Sequence, residues 1–204
     1  MNSVDDSHVD NSELRLVESA AGGDREAQRE LFEQHRDVAF AAAVRIVGNH
    51  HDALDVVQDA FIKAFARLSG FRRGASFRTW LLRIVTNQAL DLLRSRKVRL
   101  AMSLDAGDED DRPITMADGR MPPVGQKLEQ QEVADRLSNA LESLPAEQRA
   151  VFALYATGEL TYGEIAEALG IPIGTVMSRL YHARRRLHEL LADLAPADAK
   201  ERTQ

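Results

Sequence analysis

Cysteine is missing from this chain, so disulfides and thiolate metal sites are excluded. Aromatic residues are scarce at 5%, with Trp80 the lone tryptophan, while 28% of residues are charged. That balance suits a helical, well-solvated protein. No apolar run approaches the length of a membrane span, and the polar start MNSVDDSHVDNSE lacks the basic flank and apolar stretch of a signal peptide. A cytoplasmic protein without membrane insertion is the expectation. Internal repeats are also lacking. What is present is an apolar fraction of 44% over 204 residues, enough for one ordinary domain or two small ones near the lower limit for a self-sufficient core.

A net charge of −6 argues at first against nucleic acid, since phosphate binding needs clustered lysine and arginine. The average conceals a segregation. From Arg67 to Arg99 the basic residues are Arg67, Arg72, Arg73, Arg78, Arg83, Arg94, Arg96, Lys97 and Arg99, with Asp91 the lone acid. The next stretch reverses sign, gathering Asp105, Asp108, Glu109, Asp110 and Asp111, and a second basic cluster, Arg179 with Arg184, Arg185 and Arg186, lies near the C-terminus. Two basic patches joined by an acidic connector suit a protein that grips a polyanion in two places.

Organisation along the chain follows the same division. Ala101 to about Gln126 mixes glycine, proline and aspartate without usable periodicity and reads as a linker. Every long segment on either side has helical spacing and none alternates as a strand would, so the fold class is all-α, two small helical domains. Helices are expected near 11–21, from an N-cap at Asp24 to just before Gly48, over 52–68 and over 76–99. The C-terminal set is 129–143, 145–157, 162–169 and 174–194.

The C-terminal segment LTYGEIAEALGIPIGTVMSRL carries the most specific pattern. Thr161 with Glu164 three residues on is a capping box; Ile165, Ala166 and Leu169 form an inner face, and Gly170 supplies the stop. Ala166, Gly170 and Val176 have the spacing of a helix-turn-helix, in which a small residue allows close packing and glycine makes the turn. On the second helix Val176, Leu180, Ala183 and Leu187 share the core stripe, and Ser178, Tyr181, His182 and Arg185 lie opposite. Thr175, Arg179 and Arg186 fall on one flank, Met177 and Arg184 on the other. Small donors, an aromatic and cations on one face can reach base edges in a major groove while arginines hold phosphates. A plain helical hairpin would not need so polar an outer side.

The N-terminal segment DALDVVQDAFIKAFARL buries Ala53, Val56, Val57, Ala60 and Ala64 on one stripe, yet Ile62 stands roughly opposite, beside Asp55 and Gln58, with Leu54, Phe61 and Phe65 at the margin. Apolar groups on both faces point to docking on a partner helix. In SFRTWLLRIVTNQALDLLRSRKVR, Phe77, Leu81, Ile84, Val85 and Leu92 form the core stripe, with Gln88 on it as well. Trp80, Asn87 and Arg94 recur every seven residues along one side: a stacking surface, an amide for a base edge and a phosphate clamp, as handling of unstacked single-stranded DNA requires. The loop SGFRRGAS beside them could hold an extruded base.

In order along the chain, DALDVVQDAFIKAF, SFRTWLLRIVTNQALDLLR and LTYGEIAEALGIPIGTVMSRLYHARRRL resemble the core-binding, promoter-melting and upstream-element segments of the extracytoplasmic-function (ECF) subfamily of sigma-70 type RNA polymerase sigma factors. The resemblance covers about Glu13 to Leu191. It implies a disordered tail over 1–12, a sigma region 2-like domain over 13–100, a flexible acidic linker over 101–128, a region 4-like helix-turn-helix domain over 129–194 and a tail over 195–204. It also implies a transcription initiation factor, not an enzyme, with no cofactor or metal. Its partners would be core RNA polymerase, through the largest-subunit clamp helices and the flap, and promoter DNA, with an anti-sigma factor as a further candidate.

Residue by residue, Asp55, Gln58, Asp59 and Phe61 match the polymerase-binding segment, to which the apolar pattern adds Ile62 and Phe65. Asn87 and Trp80, with the loop of Phe71, Arg72, Arg73 and Ser76, match the region that opens the minus-10 element, and Arg83 and Arg94 lie on the same helix. Thr175, Ser178, Tyr181, His182 and Arg184 match the helix that reads the minus-35 element, flanked by Arg179 and Arg185. Met177 departs from the pattern, standing where many relatives carry lysine or arginine. Two other classes compete: a dimeric helix-turn-helix regulator on duplex DNA, which leaves Trp80, Asn87 and Ile62 without a use, and a helical metal hydrolase on His35, His50 and His51, which lacks a carboxylate pair.

Overall fold

A computed structural model describes residues 11–71, 76–106, 126–158 and 160–192. Among the described residues the secondary structure is helical, without strands. The N-terminal half holds α1 (Asn11–Ala21), α2 (Arg25–Val47), α3 (His50–Arg67), a single 3₁₀ turn at Leu68–Gly70, and α4 (Phe77–Ala106). The C-terminal half holds α5 (Gln126–Glu142), α6 (Ala146–Tyr155), α7 (Tyr162–Leu169) and α8 (Ile173–Leu191). Arg72, Arg73, most of the acidic linker and both tails fall outside the described residues.

Local chemistry sets the helix starts and stops. The Asp24 carboxylate accepts from the amides of Glu26 (2.9 Å) and Ala27 (3.4 Å), satisfying orphan donors of α2. Gly48 ends α2 in the left-handed region at φ 88°. Asn49 accepts from the Asp52 amide at 2.9 Å, so α3 begins at His50, two residues before the expected Asp52. The Ser76 hydroxyl accepts from the Thr79 amide at 3.1 Å and starts α4. The capping box of Thr161 and Glu164 is fully formed, and Gly170, at φ 64°, makes the turn into α8.

α4 runs seven residues past the expected end at Arg99, to Ala106. From Arg94 to Met102 every residue is exposed, Val98, Leu100 and Met102 among them, so over that stretch the helix has no buried face for an apolar pattern to follow. Good helix formers simply continue until Gly107. α8 likewise starts one residue before Gly174 and ends at Leu191 rather than 194.

Packing rests on small residues. Ala39, Ala43, Ala53, Ala60 and Ala64 are fully buried where α2 and α3 approach each other and α4, around Leu31, Ile46, Phe77, Leu81 and Val85. Alanine at such a crossing lets helix axes close up, and each larger side chain buried contributes about 1.5–3 kcal/mol. In the helix-turn-helix, α7 turns Ile165 and Ala168 inward, while Ala166 and Leu169 are only half-buried, a correction to the expected inner face. On α8, Val176, Leu180, Ala183 and Leu187 are buried as their spacing predicts.

The two halves also pack on each other. Val38 and Ala42 of α2 and Leu82 of α4 are buried with the C-terminal residues Val151, Leu154, Ile165, Val176 and Leu180 rather than with their own half. That places α6 on α2 and α7 on α4.

Candidate nucleic-acid interface

The outer side of α8 carries the candidate reading surface. Tyr181, 62% exposed, and His182 stand edge to face at 5.4 Å, and the Ser178 hydroxyl donates to the Thr175 carbonyl at 3.1 Å. Thr175 and Arg179 are half-buried on its flank. Arg185 and Arg186 both reach Glu189, at 3.6 and 3.5 Å, exposed pairings worth little that leave both guanidinium groups available to phosphate. Arg184 behaves differently. Its guanidinium sits over the Tyr155 ring at 4.3 Å, and Tyr155 stacks near Tyr162 at 6.0 Å, so α6 and α7 fix this arginine's direction. Met177, 55% exposed, lines a shallow groove beside it with Tyr162, Tyr181 and His188.

On α4 the three residues of the seven-residue line divide. Asn87 and Arg94 are exposed, and Arg94 pairs with Asp91 at 2.8 Å. Trp80 is half-buried, its ring 5.5 Å from Phe71 and 5.8 Å from Phe77. Phe71 and Phe77 thus hold the indole from within while it stays partly exposed. Ser76 spends its hydroxyl on the helix start, also meeting the Thr79 hydroxyl at 2.9 Å. Arg83 is exposed and its guanidinium lies beside the helix-turn-helix: a Cβ at Gly170 would stand 3.8 Å from its nitrogen. Gln88 is half-buried rather than in the core.

On α3, Asp55, Gln58, Asp59 and Ile62 are all exposed, Ile62 by 59%, with Leu54 beside them. Phe65 is half-buried. Phe61 departs from its expected place on the docking surface, because it is 3% exposed and packs on Phe32 at 4.8 Å and Phe65 at 5.8 Å. It braces the face from beneath. His35, His50 and His51 do not converge: His35 is buried against Phe77, His50 meets Phe40, and His51 faces Asp55 at 3.4 Å. Among the described residues no three metal-ligating side chains gather.

One residue was not legible as important from the sequence. Arg149 of α6 is 8% exposed, and its guanidinium donates to the carbonyls of Glu142 (2.5 Å), Leu144 (3.2 Å) and, in the other half of the chain, Ile46 (3.0 Å). It satisfies orphan carbonyls at the C-terminal ends of α5 and α2 together. Burial pushes its pKa below the ordinary guanidinium range, and nearby Glu142 opposes that shift. An arginine three residues into an amphipathic helix reads as a solvated charge; only the approach of α2 makes it internal.

Residues 31–99 match the family Sigma-70 region 2, and residues 134–187 match Sigma-70, region 4. The chain is 34% identical over 190 residues to the ECF RNA polymerase sigma factor SigW of Bacillus subtilis, covering 88% of this chain and 97% of that protein. Among solved structures it is similar to CnrH in complex with the cytosolic domain of CnrY, at TM-score 0.66 and 27% identity, over 91% of this chain and all of the other. It is also similar to the sigma factor RpoE of Bartonella quintana in complex with the anti-sigma factor NepR, at TM-score 0.62 and 29% identity, over 80% of this chain and 96% of the other. With both regions matched in order and their elements in place, this chain belongs to the ECF subfamily of sigma-70 RNA polymerase sigma factors, the transcription initiation factors that direct polymerase to promoters.

Proposed function

We propose that this sigma factor works through three faces: α3 docks on core polymerase, α4 captures the melted minus-10 strand, and α8 reads the minus-35 duplex. The observation that carries this reading is the side-by-side exposure of Ile62 with Asp55, Gln58 and Asp59 on a helix whose other stripe is fully buried. An apolar residue ringed by polar groups is the anchor-and-rim pattern of a helix-docking surface. The clamp helices of the largest polymerase subunit fit it, and Phe61 and Phe65 support it from below.

On α4, Asn87 hydrogen-bonds an unstacked base, Trp80 offers an aromatic edge, and Arg94, with Arg72 and Arg73 of the preceding loop, holds the backbone. Capture of flipped bases offsets an unpairing cost of a few kcal/mol per base, so melting needs no covalent chemistry. On α8, Ser178, Tyr181, His182 and Arg184 reach base edges and Thr175 and Arg179 support them, while Arg185 and Arg186 grip phosphate. Met177 presents an apolar tip suited to a thymine methyl group, the one apolar feature on a major-groove base edge. The chain acts in the cytoplasm, where polymerase and promoter are, and an anti-sigma factor like NepR is a candidate regulator.

Two weak DNA-binding surfaces on one polymerase act as a linked pair, so neither need be tight alone. Transcription of fragmented genomic DNA from the source organism, with core polymerase in the presence and absence of this chain, is the test. New start sites that require the chain are expected. Nanomolar, sequence-specific duplex binding by the free chain, with no effect on polymerase, would instead support a dimeric regulator.

A further inference from the structure

Arg184, Arg185 and Arg186 follow one another near the middle of α8, and their surroundings differ. Arg185 and Arg186 reach to exposed Glu189 on their own helix. Arg184 instead lies over the Tyr155 ring, 4.3 Å from its centre, and among the described residues no carboxylate pairs with it. Tyr155, the last residue of α6, is half-buried, and its ring meets that of Tyr162, the first residue of α7, at 6.0 Å. Both tyrosines pack against the core of Val151, Leu154, Ile165, Val176 and Leu180. The platform beside Arg184 is thus held by two helix ends and the core beneath them.

A phosphate contact tolerates a swinging cation, because any N–H of a guanidinium can meet any phosphate oxygen. Reading a base is more demanding. The parallel N–H donors of an arginine fit O6 and N7 of guanine only when the guanidinium plane is held in line with the base edge. A cation over an aromatic face uses no hydrogen-bond acceptor, so the donors of Arg184 stay available while its side chain is restrained. Rotamer freedom that binding would otherwise remove is therefore reduced before DNA arrives. Met177 stands two turns earlier on the same side of α8 and lines one groove with Arg184, Tyr162 and Tyr181. Arg184 therefore sits on an edge of the reading surface, with its direction set in advance.

We infer that Tyr155 is a positioning residue for promoter selectivity: its ring fixes the Arg184 guanidinium so that it reads a guanine in the minus-35 duplex. The inference rests on the reading of α8 as the minus-35 helix, and adds to it a residue on a different helix that acts through Arg184. Selectivity at one base pair then depends on an aromatic face inside the protein and on the arginine fork, rather than on charge. Three substitutions separate these parts. Tyr155→Leu keeps an apolar side chain and removes the ring face, Tyr155→Phe keeps the face, and Arg184→Lys keeps the charge and removes the fork.

The test is transcription by core polymerase with the full chain, from one of its promoters with the minus-35 element randomised and the minus-10 element kept, read by sequencing of transcripts. The parent should favour guanine at one position by about fivefold or more. Tyr155→Phe should hold that preference within about twofold, since its ring face remains. Tyr155→Leu and Arg184→Lys should abolish it there and leave preferences at other positions standing. Neither should change the salt slope of holoenzyme binding, because the charge is kept. In an Arg184→Ala background, Tyr155→Leu should have no further effect. Arg184→Ala that weakens every sequence alike and lowers the salt slope would make Arg184 a phosphate clamp and overturn the inference. Tyr155→Phe behaving like Tyr155→Leu would overturn it too, as would an added loss from Tyr155→Leu in the Arg184→Ala background. Thermal melts check the fold of each variant, and Tyr155→Met replaces Tyr155→Leu if the latter melts early. Base preferences in the element that Tyr155→Leu leaves untouched would sink this inference alone. A parent with no preference anywhere in the element would sink the reading role of α8 as well.

Discussion

Phe61 and Ile62 are sequence neighbours with opposite surroundings, one packed on Phe32 and the other in solvent. Their substitutions should therefore separate folding from docking. Phe61→Ala should destabilise the chain by about 3–5 kcal/mol in urea melts. Ile62→Asp should leave the melt within about 0.5 kcal/mol of the parent and weaken core-polymerase binding at least tenfold in a pull-down titration. On α4, Asn87→Ala should lower transcription from an intact promoter, with recovery on a template whose minus-10 region is mismatched beforehand, because the missing capture energy is then no longer needed. Equal loss on both templates would deny Asn87 a part in melting. The placement of these residues was half legible in the sequence: helical spacing put Ile62 and Asn87 outward, but could not show that Phe61 turns inward, since a residue at the margin of a stripe goes whichever way its neighbours leave room.

At the scale of the element, α8 divides along its length. The arginines at 185 and 186, paired with exposed Glu189, should act on phosphate, so replacing both should weaken all promoters alike and reduce the salt slope of holoenzyme binding by about one for each phosphate no longer neutralised. Ser178→Ala or His182→Ala should instead change which promoters are used, as read by sequencing of transcripts. Arg184, fixed over Tyr155, should resemble the second group more than the first, and Tyr155→Ala should mimic its removal. The start of α7 depends on the Thr161–Glu164 capping box, and Thr161→Ala should cost about 1 kcal/mol in thermal denaturation. Helix existence and caps were readable because they depend on residues within one turn of each other. The end of α4 was not, because from Arg94 to Met102 every residue is exposed and no apolar pattern runs on along the helix.

For the whole molecule, the shared core makes the two family regions unfold together. Calorimetry of the free chain should give one transition, and Arg149→Met should lower its stability by on the order of 3 kcal/mol by stranding buried carbonyls in both halves. Two separate transitions would mean that the halves fold independently. The division between sequence and tertiary structure follows the range of the interactions. Apolar spacing, capping residues and the segregation of basic from acidic stretches by themselves determined an all-helical chain, its helix-turn-helix, and which helix faces carry polar and basic groups outward, because each is set by residues a few positions apart. The burial of Arg149, the inward use of Val38, Ala42 and Leu82, and the seating of Gly170 on Arg83 were decided only when α6 and α7 came to rest on α2 and α4. Those partners lie about 80 to 130 residues apart in the chain, and no local pattern records an interaction made at that separation.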